Sequence, residues 1–473
     1  MSEEMKPTLT DAKGSGGLVA QSGFDYQLWE ALARLPRWLL QPTFESFILE
    51  GLEDIEARFF TPYAPESHVI DRFQAKRGSL TKSGITEVLS SFLKYDQSYP
   101  GTAHVQTLVT PSLPASLQWI TRDQTRIQKA RPFYKPFATV TSTSDLKLRD
   151  DLIKEFGEVL GDFTVNNVDF ALHQYTDIQA ARLAFAQALE VAFPTLDCTQ
   201  KQVRAAFDDL VTLANEYRGT EITRDQTIQV LRTALDAPTL IDDPLQVHIR
   251  SDRDPEQLQA IEIDASAFAG GEVGFPEASE WSALTIPLQK VASWAHQGGH
   301  HRIQLTGSYR LSTAFAIGAA FRAARGFDLD FQVRGGWWRT DDHSHQDGES
   351  LGWQTQQATG LVDEHLVIAI GVLRSPLQEV MKTLRIRDQH EIMHLQLEQA
   401  ITSSQELQTA VNYIKKQVVQ AVSTHRPKAL HVFFVGPATL ALALGHRWNA
   451  LPPVQWYEFQ AKSGIYQPTC WVE

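Results

Sequence analysis

The chain has few cysteines, no long apolar run and no excess of basic residues. Its two cysteines, Cys198 and Cys470, lie far apart and belong to no metal-ligand motif, which predicts buried thiols in a reducing compartment and argues against a disulfide. No segment approaches the roughly 18 consecutive apolar residues of a membrane span, and the polar, acidic first residues are unlike a signal peptide. We therefore expect a cytoplasmic protein without a membrane partner.

The formal net charge of −13 argues against a protein that coats nucleic acid, because neutralising phosphates requires clustered Lys and Arg. Basic residues are nevertheless concentrated in two places. The larger cluster comprises Arg122, Arg126, Lys129, Arg131 and Lys135 around one acid, Asp123, and the smaller one comprises Lys76, Arg77 and Lys82. A solvated helix face explains the larger cluster as well as a nucleic-acid surface does, and the sequence leaves both open.

The length of 473 residues predicts two or three domains. Hydrophobic patterns predict a mixed α/β module over residues 1–145, with a helix at 22–40, strands near 45–50, 54–60, 69–76 and 104–111, a helix at 84–96 and a further strand from Phe137. Residues 146–237 show the three- and four-residue apolar spacing of helices, apart from an extended piece at 168–175. A proline-containing linker then leads into the last region, residues 238–473.

This last region contains an internal repeat. The segment that starts at Ile303 has the pattern of a strand, a turn of small residues and an Ala-rich helix, and the segment that starts at Leu430 repeats this order. A further strand follows each copy. Two βαβ-like units of this kind predict a pseudo-symmetric pair of Rossmann-like halves. The predicted fold class is therefore a multidomain α/β protein.

One predicted hairpin carries the best candidate for catalysis. Asp54 opens its first strand, and Gln74 and Lys76 share one face of its second strand. A carboxylate, an amide oxygen and an ammonium group that meet at the end of a sheet can hold one divalent cation, Mg²⁺ or Mn²⁺, beside a phosphodiester. Glu56 shares the face of Asp54 by alternation and Glu53 does not, so the assisting acid stays open. An amphipathic hairpin with a solvated polar face explains the same pattern.

Both strand-to-helix turns of the repeat are candidates for phosphate binding. They consist of Gly307, Ser308, Tyr309 and Arg310 in the first copy and of Gly436, Pro437, Ala438 and Thr439 in the second. Ligands of doubly wound sheets bind at such turns, where the N–H groups of a helix N-terminus favour anions. Arg310 can pair with a phosphate and Tyr309 can stack on a base. Neither turn is a Walker A or GxGxxG loop, and glycine equally suits a tight turn without a ligand.

The D…QxK pattern of the hairpin resembles the PD-(D/E)xK nuclease signature, in the variant with glutamine in place of the second acid. The upstream segment 23–32, GFDYQLWEAL, is similar to the N-terminal helix of that superfamily. The resemblance implies that this helix places a polar residue, Gln27 or Glu30, at the edge of a metal site. Because Gln74 is a neutral ligand, metal affinity would depend more heavily on Asp54.

The end of the chain, VFFVGPATLALALG…PPVQWYEFQ…GIYQPT, resembles the close of a SAVED domain, which is similar to two fused CARF-type nucleotide sensors. Such domains bind cyclic di-, tri- or tetranucleotides made by a partner nucleotidyltransferase. The resemblance implies that residues 238–473 form this sensor. By the same implication, the candidate base or phosphate contacts are Tyr309 and Arg310 of the first turn and, outside the turns, Trp338, Tyr457 and Tyr466.

Taken together, these features resemble the SAVED-domain nuclease effectors of CBASS anti-phage signalling over nearly the whole chain. The resemblance implies a restriction-endonuclease-like core at 1–145, a helical extension at 146–237 and Mg²⁺-dependent cleavage of double-stranded DNA by a homo-oligomer that forms when the ligand binds. Two alternatives remain open at this point. One is a non-catalytic sensor or adaptor that binds nucleic acid without cutting it, and the other is an RNase with the same ligand control.

Overall fold

The computed structural model describes residues 16–130, 139–173, 175, 177–241, 244–251, 260–269, 276–341 and 351–473. The chain divides into two compact units, Met1–Asp242 and Asp243–Glu473. The division falls close to residue 238, where the sequence predicted the start of the last domain. Within the described ranges, no helix is both long enough and apolar enough to cross a membrane.

Unit 1 is built on one six-stranded mixed sheet. Its strands are β1 (Phe44–Leu49), β2 (Ile55–Phe60), β3 (His68–Ala75), β4 (Ala103–Thr110), β5 (Val168–Leu172) and β6 (Glu221–Thr223). Its helices are α1 (Gly16–Leu40), α2 (Lys82–Ser98), α3 (Gln118–Ala130), α4 (Thr139–Phe156), α5 (Glu158–Asn167), α6 (Ile178–Ala192), α7 (Gln200–Glu216) and α8 (Arg224–Leu235). The strand order is β5-β4-β3-β2-β1-β6, with β3, β4 and β5 parallel and the other pairs antiparallel.

Two hydrophobic clusters cover the two faces of this sheet. Val109 belongs to the cluster that includes α1, α6, α7 and α8, whereas its neighbour Leu108 belongs to the cluster that includes α2, α3, α4 and α5. Successive residues of a strand point to opposite faces, so the sheet is enclosed between two helical layers. Phe73 and Ala75 lie in the first cluster. Gln74, between them, therefore projects on the face that α2 covers.

The strands predicted near residues 45–50, 54–60 and 69–76 are present, but the strand predicted from Phe137 is wrong. Phe137 lies outside the described residues, and from Thr139 the chain is helical. The β-branched run of threonine and valine suggested a strand, yet Leu148 and Leu152, one helical turn apart, are both buried in the cluster under α4. Packing of this apolar stripe outweighs the weak strand preference. The predicted helical extension also supplies two strands, β5 and β6, to the sheet.

Unit 2 contains two sheets. Its strands are β7 (Leu245–Arg250), β8 (Ile261–Asp264), β9 (Arg302–Gly307), β10 (Asp328–Val333), β11 (Gly336–Arg339), β12 (Gln354–Gln356), β13 (His365–Val372), β14 (Ile392–Leu397), β15 (Ala429–Val435), β16 (Val454–Gln460) and β17 (Ile465–Val472). Its helices are α9 (Ser282–Gln297), α10 (Leu311–Ala320), α11 (Leu377–Leu384), α12 (Ser404–His425) and α13 (Ala438–Arg447).

The two sheets of unit 2 share one strand plan. One sheet has the order β8-β7-β9-β10-β11, and the other has β14-β13-β15-β16-β17 with β12 added beyond β14. In each sheet the first four strands of this order are parallel and the fifth is antiparallel. Helix α10 connects β9 to β10 as α13 connects β15 to β16. The repeat predicted from the sequence is therefore a duplication of a whole half-domain.

The repeated helices α10 and α13 pack against each other through glycine. A Cβ atom on Gly318 would lie 2.0 Å from Leu442 O, and one on Gly445 would lie 2.2 Å from Phe315 O. Both distances are far shorter than van der Waals contact, and the obstructing atoms belong to the backbone. The two helices can approach this closely only because neither glycine has a side chain.

Candidate functional site

The β2–β3 hairpin brings three predicted catalytic side chains together. The antiparallel register places Asp54, the residue before β2, beside Gln74 of β3. Gln74 Nε2 donates a hydrogen bond to Asp54 Oδ2 at 2.5 Å, and Ala75 N donates to the same oxygen at 2.7 Å. Lys76 Nζ lies 3.8 Å from that oxygen. An acid, an amide and an ammonium group therefore meet at the end of the sheet, as strand alternation predicted.

Burial governs the charge of this group. The side chain of Asp54 is 16 % exposed, and burial raises the pKa of its carboxyl, although the Lys76 ammonium and the Gln74 and Ala75 donors act in the opposite direction. Burial also raises the pKa of Glu53, and the adjacent charge of Asp54 raises it further. Two neighbouring carboxyl groups that are costly to ionise mark a position where a cation would be stabilised.

The oxygen atoms of the site fit a hard divalent cation. Asp54 Oδ1 and Gln74 Oε1 accept no hydrogen bond from any described residue, and Mg²⁺ binds carboxylate and amide oxygens while it keeps several waters. No group of three or more His, Cys, Asp or Glu side chains that could hold a metal occurs in the described part of the chain. Asp54 and Gln74 would therefore hold the cation with few protein ligands.

The two neighbouring acids do different work. Glu56 Oε1 accepts hydrogen bonds from Leu52 N at 3.1 Å and from Glu53 N at 3.2 Å, so it fixes the turn that precedes β2. Glu53 accepts only a long bond from Ser91 Oγ of α2, at 3.4 Å. Glu53 is thus the acid that retains a carboxylate for further contacts beside Asp54.

Arg72 is a buried residue that sequence reasoning missed. It is 0 % exposed and its guanidinium carbon lies 3.4 Å from the centre of the Tyr95 ring of α2. Burial lowers its pKa, and Tyr95, Glu56 and Glu53 act in the opposite direction. The available signal was its spacing, because residues 72, 74 and 76 alternate onto one face of β3.

Helix α1 packs on the other face of the sheet, with Phe73 and Ala75. Glu30 is fully buried, accepts a hydrogen bond from Arg34 Nε at 2.5 Å and lies 2.8 Å from His173 Nδ1. Burial alone would raise the pKa of Glu30, but Arg34 and His173 outweigh it and lower that pKa. The Arg34 guanidinium packs 4.6 Å from the centre of the Phe73 ring, opposite the candidate site. Gln27 Oε1 is buried and has no hydrogen-bond partner in the described part of the chain, and its role stays a prediction.

The two repeated turns lie at one edge of unit 2, and β16 connects them. Tyr457 of β16 pairs with Phe433 of β15, and the next residue, Glu458, accepts a hydrogen bond from Arg310 Nε at 2.5 Å. Gly436 of the second turn follows Phe433 by three residues, roughly 10 Å along the strand. The structure therefore brings both turns to the carboxyl ends of parallel strands, where ligands of such sheets bind.

Helix α10 already has an anion at its N-terminus. Glu458 is 3 % exposed, and its Oε2 accepts hydrogen bonds from Ser312 N at 3.2 Å and Ser312 Oγ at 2.7 Å. A carboxylate of the chain itself thus occupies the position that the sequence analysis gave to a phosphate, because helix N-termini favour any anion. Sequence reasoning missed this acid, whose partners lie far away along the chain.

The first turn depends on its glycine. Gly307 has φ of +93°, and a Cβ atom there would lie 2.1 Å from Ile249 O of the neighbouring strand. Ser308 Oγ lies 2.6 Å from Ser251 Oγ, and burial raises the pKa of Tyr309. Arg310, besides its pair with Glu458, donates to Ala269 O at 3.2 Å. This turn is therefore a rigid structure that presents few unengaged polar groups.

The second turn is more open to an anion. Its Gly436 and Pro437 lead into α13, whose N-cap residue is Pro437, a residue without a side-chain acceptor. Ala438 and Thr439 form the first turn of the helix and are partly exposed. The N-cap residue supplies no side-chain acceptor at either helix. At α10 the carboxylate of Glu458 takes that place.

The three aromatic contacts predicted outside the turns, Trp338, Tyr457 and Tyr466, differ in exposure. Trp338 of β11 is partly exposed. The ring of Tyr457 stacks on Phe433 with 4.2 Å between centroids, and its hydroxyl lies 2.9 Å from His431 Nδ1. Tyr466 is 2 % exposed and packs edge-on against Phe433 within the hydrophobic core. Tyr466 thus serves the core in this structure, and the ligand roles of all three stay predictions.

Part of unit 2 matches a known sensor family. Residues 287–472 match the SAVED family, described as the SMODS-associated and fused to various effectors sensor domain. The chain is 25 % identical over 469 residues to CD-NTase-associated protein 4 of an Acinetobacter species. The aligned region covers 98 % of this chain and 99 % of the relative. Its identity to the protein of the same name from Moraxella osloensis is 24 % over 478 residues, with the same coverage.

Solved structures share the fold over nearly the whole chain. The Acinetobacter baumannii Cap4 SAVED/CARF-domain containing receptor with the cyclic trinucleotide 3'3'3'-cAAA has a TM-score of 0.79 at 23 % identity and covers 95 % of this chain and 98 % of its own. The Moraxella osloensis Cap4 receptor has a TM-score of 0.73 at 22 % identity and covers 96 % and 100 %. The predicted fold class and resemblance are confirmed: residues 287–472 match the SAVED sensor domain, and the chain is similar over nearly its full length to CD-NTase-associated protein 4 and to the Cap4 receptor structures.

Proposed function

We propose that the chain is a metal-dependent endonuclease that degrades double-stranded DNA when its SAVED domain binds a cyclic oligonucleotide. The observation that carries the proposal is the meeting of Asp54, Gln74 and Lys76 at the end of one hairpin, with Lys76 Nζ 3.8 Å from the carboxylate. These groups are the parts that phosphodiester hydrolysis requires. The matched family explains the sensor half, and this geometry supports the catalytic half.

Each residue has a defined task in this proposal. Asp54 and Gln74 would hold Mg²⁺ or Mn²⁺, which polarises the phosphate and acidifies a water when bound. The Lys76 side chain is 39 % exposed, so its ammonium can reach a phosphate from solvent. That ammonium orients the attacking water or stabilises the pentacovalent charge. The hydrogen bonds from Gln74 Nε2 and Ala75 N hold the carboxylate in place before substrate arrives.

The activating ligand in this proposal is a cyclic di-, tri- or tetranucleotide made by a partner nucleotidyltransferase. Cap4 receptors of similar fold were solved with the trinucleotides 3'3'3'-cAAA and 2'3'3'-cAAA, which makes a trinucleotide the first candidate. The site would be the shared edge formed by the turns at Gly307–Arg310 and Gly436–Thr439. Ligand binding would promote a homo-oligomer that brings nuclease modules together, and moving a rare state to dominance requires about 5.5 kcal/mol of differential binding.

Plasmid cleavage tests the proposal directly. The purified chain is incubated with plasmid DNA in Mg²⁺ or in EDTA, with and without each of the two trinucleotides and a panel of cyclic dinucleotides and tetranucleotides. We expect cutting only when metal and one ligand are both present. Binding of DNA without cutting in every condition would instead establish the adaptor, and cutting of an RNA substrate alone would establish the RNase.

A further inference from the structure

Unit 1 contains a basic pocket between α3 and α4 that lies outside the candidate catalytic group. Its volume is about 100 Å³, and its polar lining comes from Arg122, Asp123, Arg126, Ser144 and Lys147. Arg122 Nε donates to Asp123 Oδ1 at 3.0 Å, so the one acid of the lining is already paired. Three cations against one acid leave the pocket with two surplus positive charges.

The two surplus charges belong to Arg126 and Lys147, which form no ion pair with any described residue. Ile127 and Leu148, 6 % and 5 % exposed, form the apolar part of the lining. Charges beside a low-dielectric surface attract an anion more strongly than charges surrounded by water. In a chain with a net charge of −13, two cations that line one pocket and have no ion-pair partner among the described residues favour an anion from outside the chain.

The size and position of the pocket point to one backbone phosphate. Its volume of about 100 Å³ has room for a phosphate group. Lys147 precedes Glu155 of α4 by eight residues, roughly 12 Å along the helix, and Glu155 pairs with Lys82 at 2.6 Å at the start of α2. Lys82 follows the candidate catalytic Lys76 closely in sequence.

We propose that the α3–α4 pocket binds a backbone phosphate of duplex DNA other than the scissile one, an inference that rests on the proposed nuclease function. Arg126 and Lys147 are positioning residues in this role, because they fix the register of the duplex and do not touch the reacting atoms. Binding at the pocket carries no base preference, since only the phosphate is contacted.

The salt dependence of duplex binding tests the pocket. Binding of a short fluorescent DNA duplex is measured over a salt series in the Lys76→Ala protein with saturating 3'3'3'-cAAA, alone and combined with Arg126→Ala/Lys147→Ala. A matched control combines Lys201→Ala and Arg204→Ala on α7, which removes the same charge from exposed positions on the opposite face of the sheet. We expect the slope of log affinity against log salt to fall by about 0.9, one phosphate contact, in the pocket variant only.

The outcomes separate this inference from the nuclease proposal. The pocket proposal is overturned if the salt slope is the same with and without Arg126→Ala/Lys147→Ala, or if the α7 control changes it equally. This holds even when the protein with Lys76 intact cuts plasmid in Mg²⁺. If the pocket variant reduces the slope but the protein with Lys76 intact cuts DNA in no condition, the pocket is supported and the nuclease proposal is overturned. Thermal unfolding confirms that each variant is folded, and Arg126→Gln/Lys147→Gln replaces any alanine variant that is not. Absence of duplex binding by the parent protein overturns the pocket as well.

Discussion

The two carboxylate oxygens of Asp54 have separate tasks. Oδ2 accepts hydrogen bonds from Gln74 Nε2 and Ala75 N, whereas Oδ1 accepts none from the described residues. One oxygen thus fixes the hairpin, and the other would be available to the proposed cation. A site with this division can be complete in shape before metal and substrate bind, which lowers the cost of ordering it during the reaction.

Lys76→Ala should abolish DNA cleavage, with a loss of at least about 10²-fold in rate, because an aligned cation for the developing charge is removed. Affinity for the activating cyclic oligonucleotide should stay within a few-fold, since the substitution lies in unit 1. Plasmid cleavage and calorimetric ligand titration measure the two effects. Lys94→Ala, an exposed lysine on α2, is the matched control. Retained cleavage in Lys76→Ala would remove the proposed active site.

Arg310→Ala should weaken both folding and ligand response, because it leaves Glu458 with one donor residue, Ser312, in a buried position. We expect unit 2 to lose about 1–3 kcal/mol. Adding Glu458→Gln removes the unpaired charge and should restore most of the stability without the ligand response. Thermal unfolding and titration with 3'3'3'-cAAA distinguish the two effects. A double variant that responds to ligand normally would show that Arg310 is not a ligand contact.

Secondary-structure elements were predictable where their pattern is local. The β2–β3 hairpin and the faces of its residues follow from period-two alternation, so the meeting of Asp54, Gln74 and Lys76 could be expected from the sequence. The strand from Phe137 failed because the burial of Leu148 and Leu152 depends on a cluster assembled from four helices. The same limit applies to Glu458, whose partner Arg310 lies 148 residues away. No local pattern encodes a contact of that range.

Gly445→Ala tests the contact between the duplicated helices. Its Cβ would lie 2.2 Å from Phe315 O and 2.9 Å from Ala319 N, so α10 and α13 must separate. Overpacking of this kind costs about 1–3 kcal/mol or more, and the turns that begin both helices should move with them. We expect a lower Tm for unit 2 and weaker trinucleotide binding. Gly336→Ala, where nothing lies within 4 Å, should change neither quantity, and equal effects of both substitutions would contradict the tight contact.

Helix α13 should also lose stability in acid. Burial lowers the pKa of His446 to about 4, so between its ordinary pKa near 6.5 and pH 4 the unfolded chain binds the proton and the folded chain does not. Stability is therefore fully present above pH 6.5 and declines by up to about 3 kcal/mol as the pH falls through this window. Hydrogen exchange of the α13 amides measures this decline. His446→Gln should flatten it in part, since the pKa of His431 is also lowered to about 4 by burial and by His365. An unchanged slope in His446→Gln would contradict the assignment.

In the whole molecule, the proposed sensor and the proposed catalytic group lie in different units. The family match lies in unit 2 and the candidate catalytic group in unit 1. The repeat in unit 2 was predictable from the sequence because it follows from the order of local strand and helix patterns. The sequence could not predict the strand order of the duplicated sheets or the contribution of β5 and β6 to the first sheet. Strand pairing joins segments that are distant in sequence, and no local pattern specifies it.

Assembly should follow ligand binding if the proposed control is correct. Analytical ultracentrifugation of the chain with 3'3'3'-cAAA or 2'3'3'-cAAA should show a larger species than the ligand-free chain. Cleavage rate should then rise with more than the first power of protein concentration, because the active species contains several copies. A rate strictly proportional to protein concentration, with an unchanged sedimentation coefficient, would show that the monomer is the active form.

The matched strand plans of unit 2 have a geometric consequence for recognition. The two copies of one sheet offer corresponding positions in pairs, whereas the cyclic ligand in the Cap4 receptor structure contains three nucleotides. Two equivalent sets of positions cannot give equivalent contacts to three nucleotides. If a trinucleotide is the messenger here, at least one of its bases must be read by side chains that have no counterpart in the other copy, so discrimination between messengers would reside where the duplicated halves have diverged.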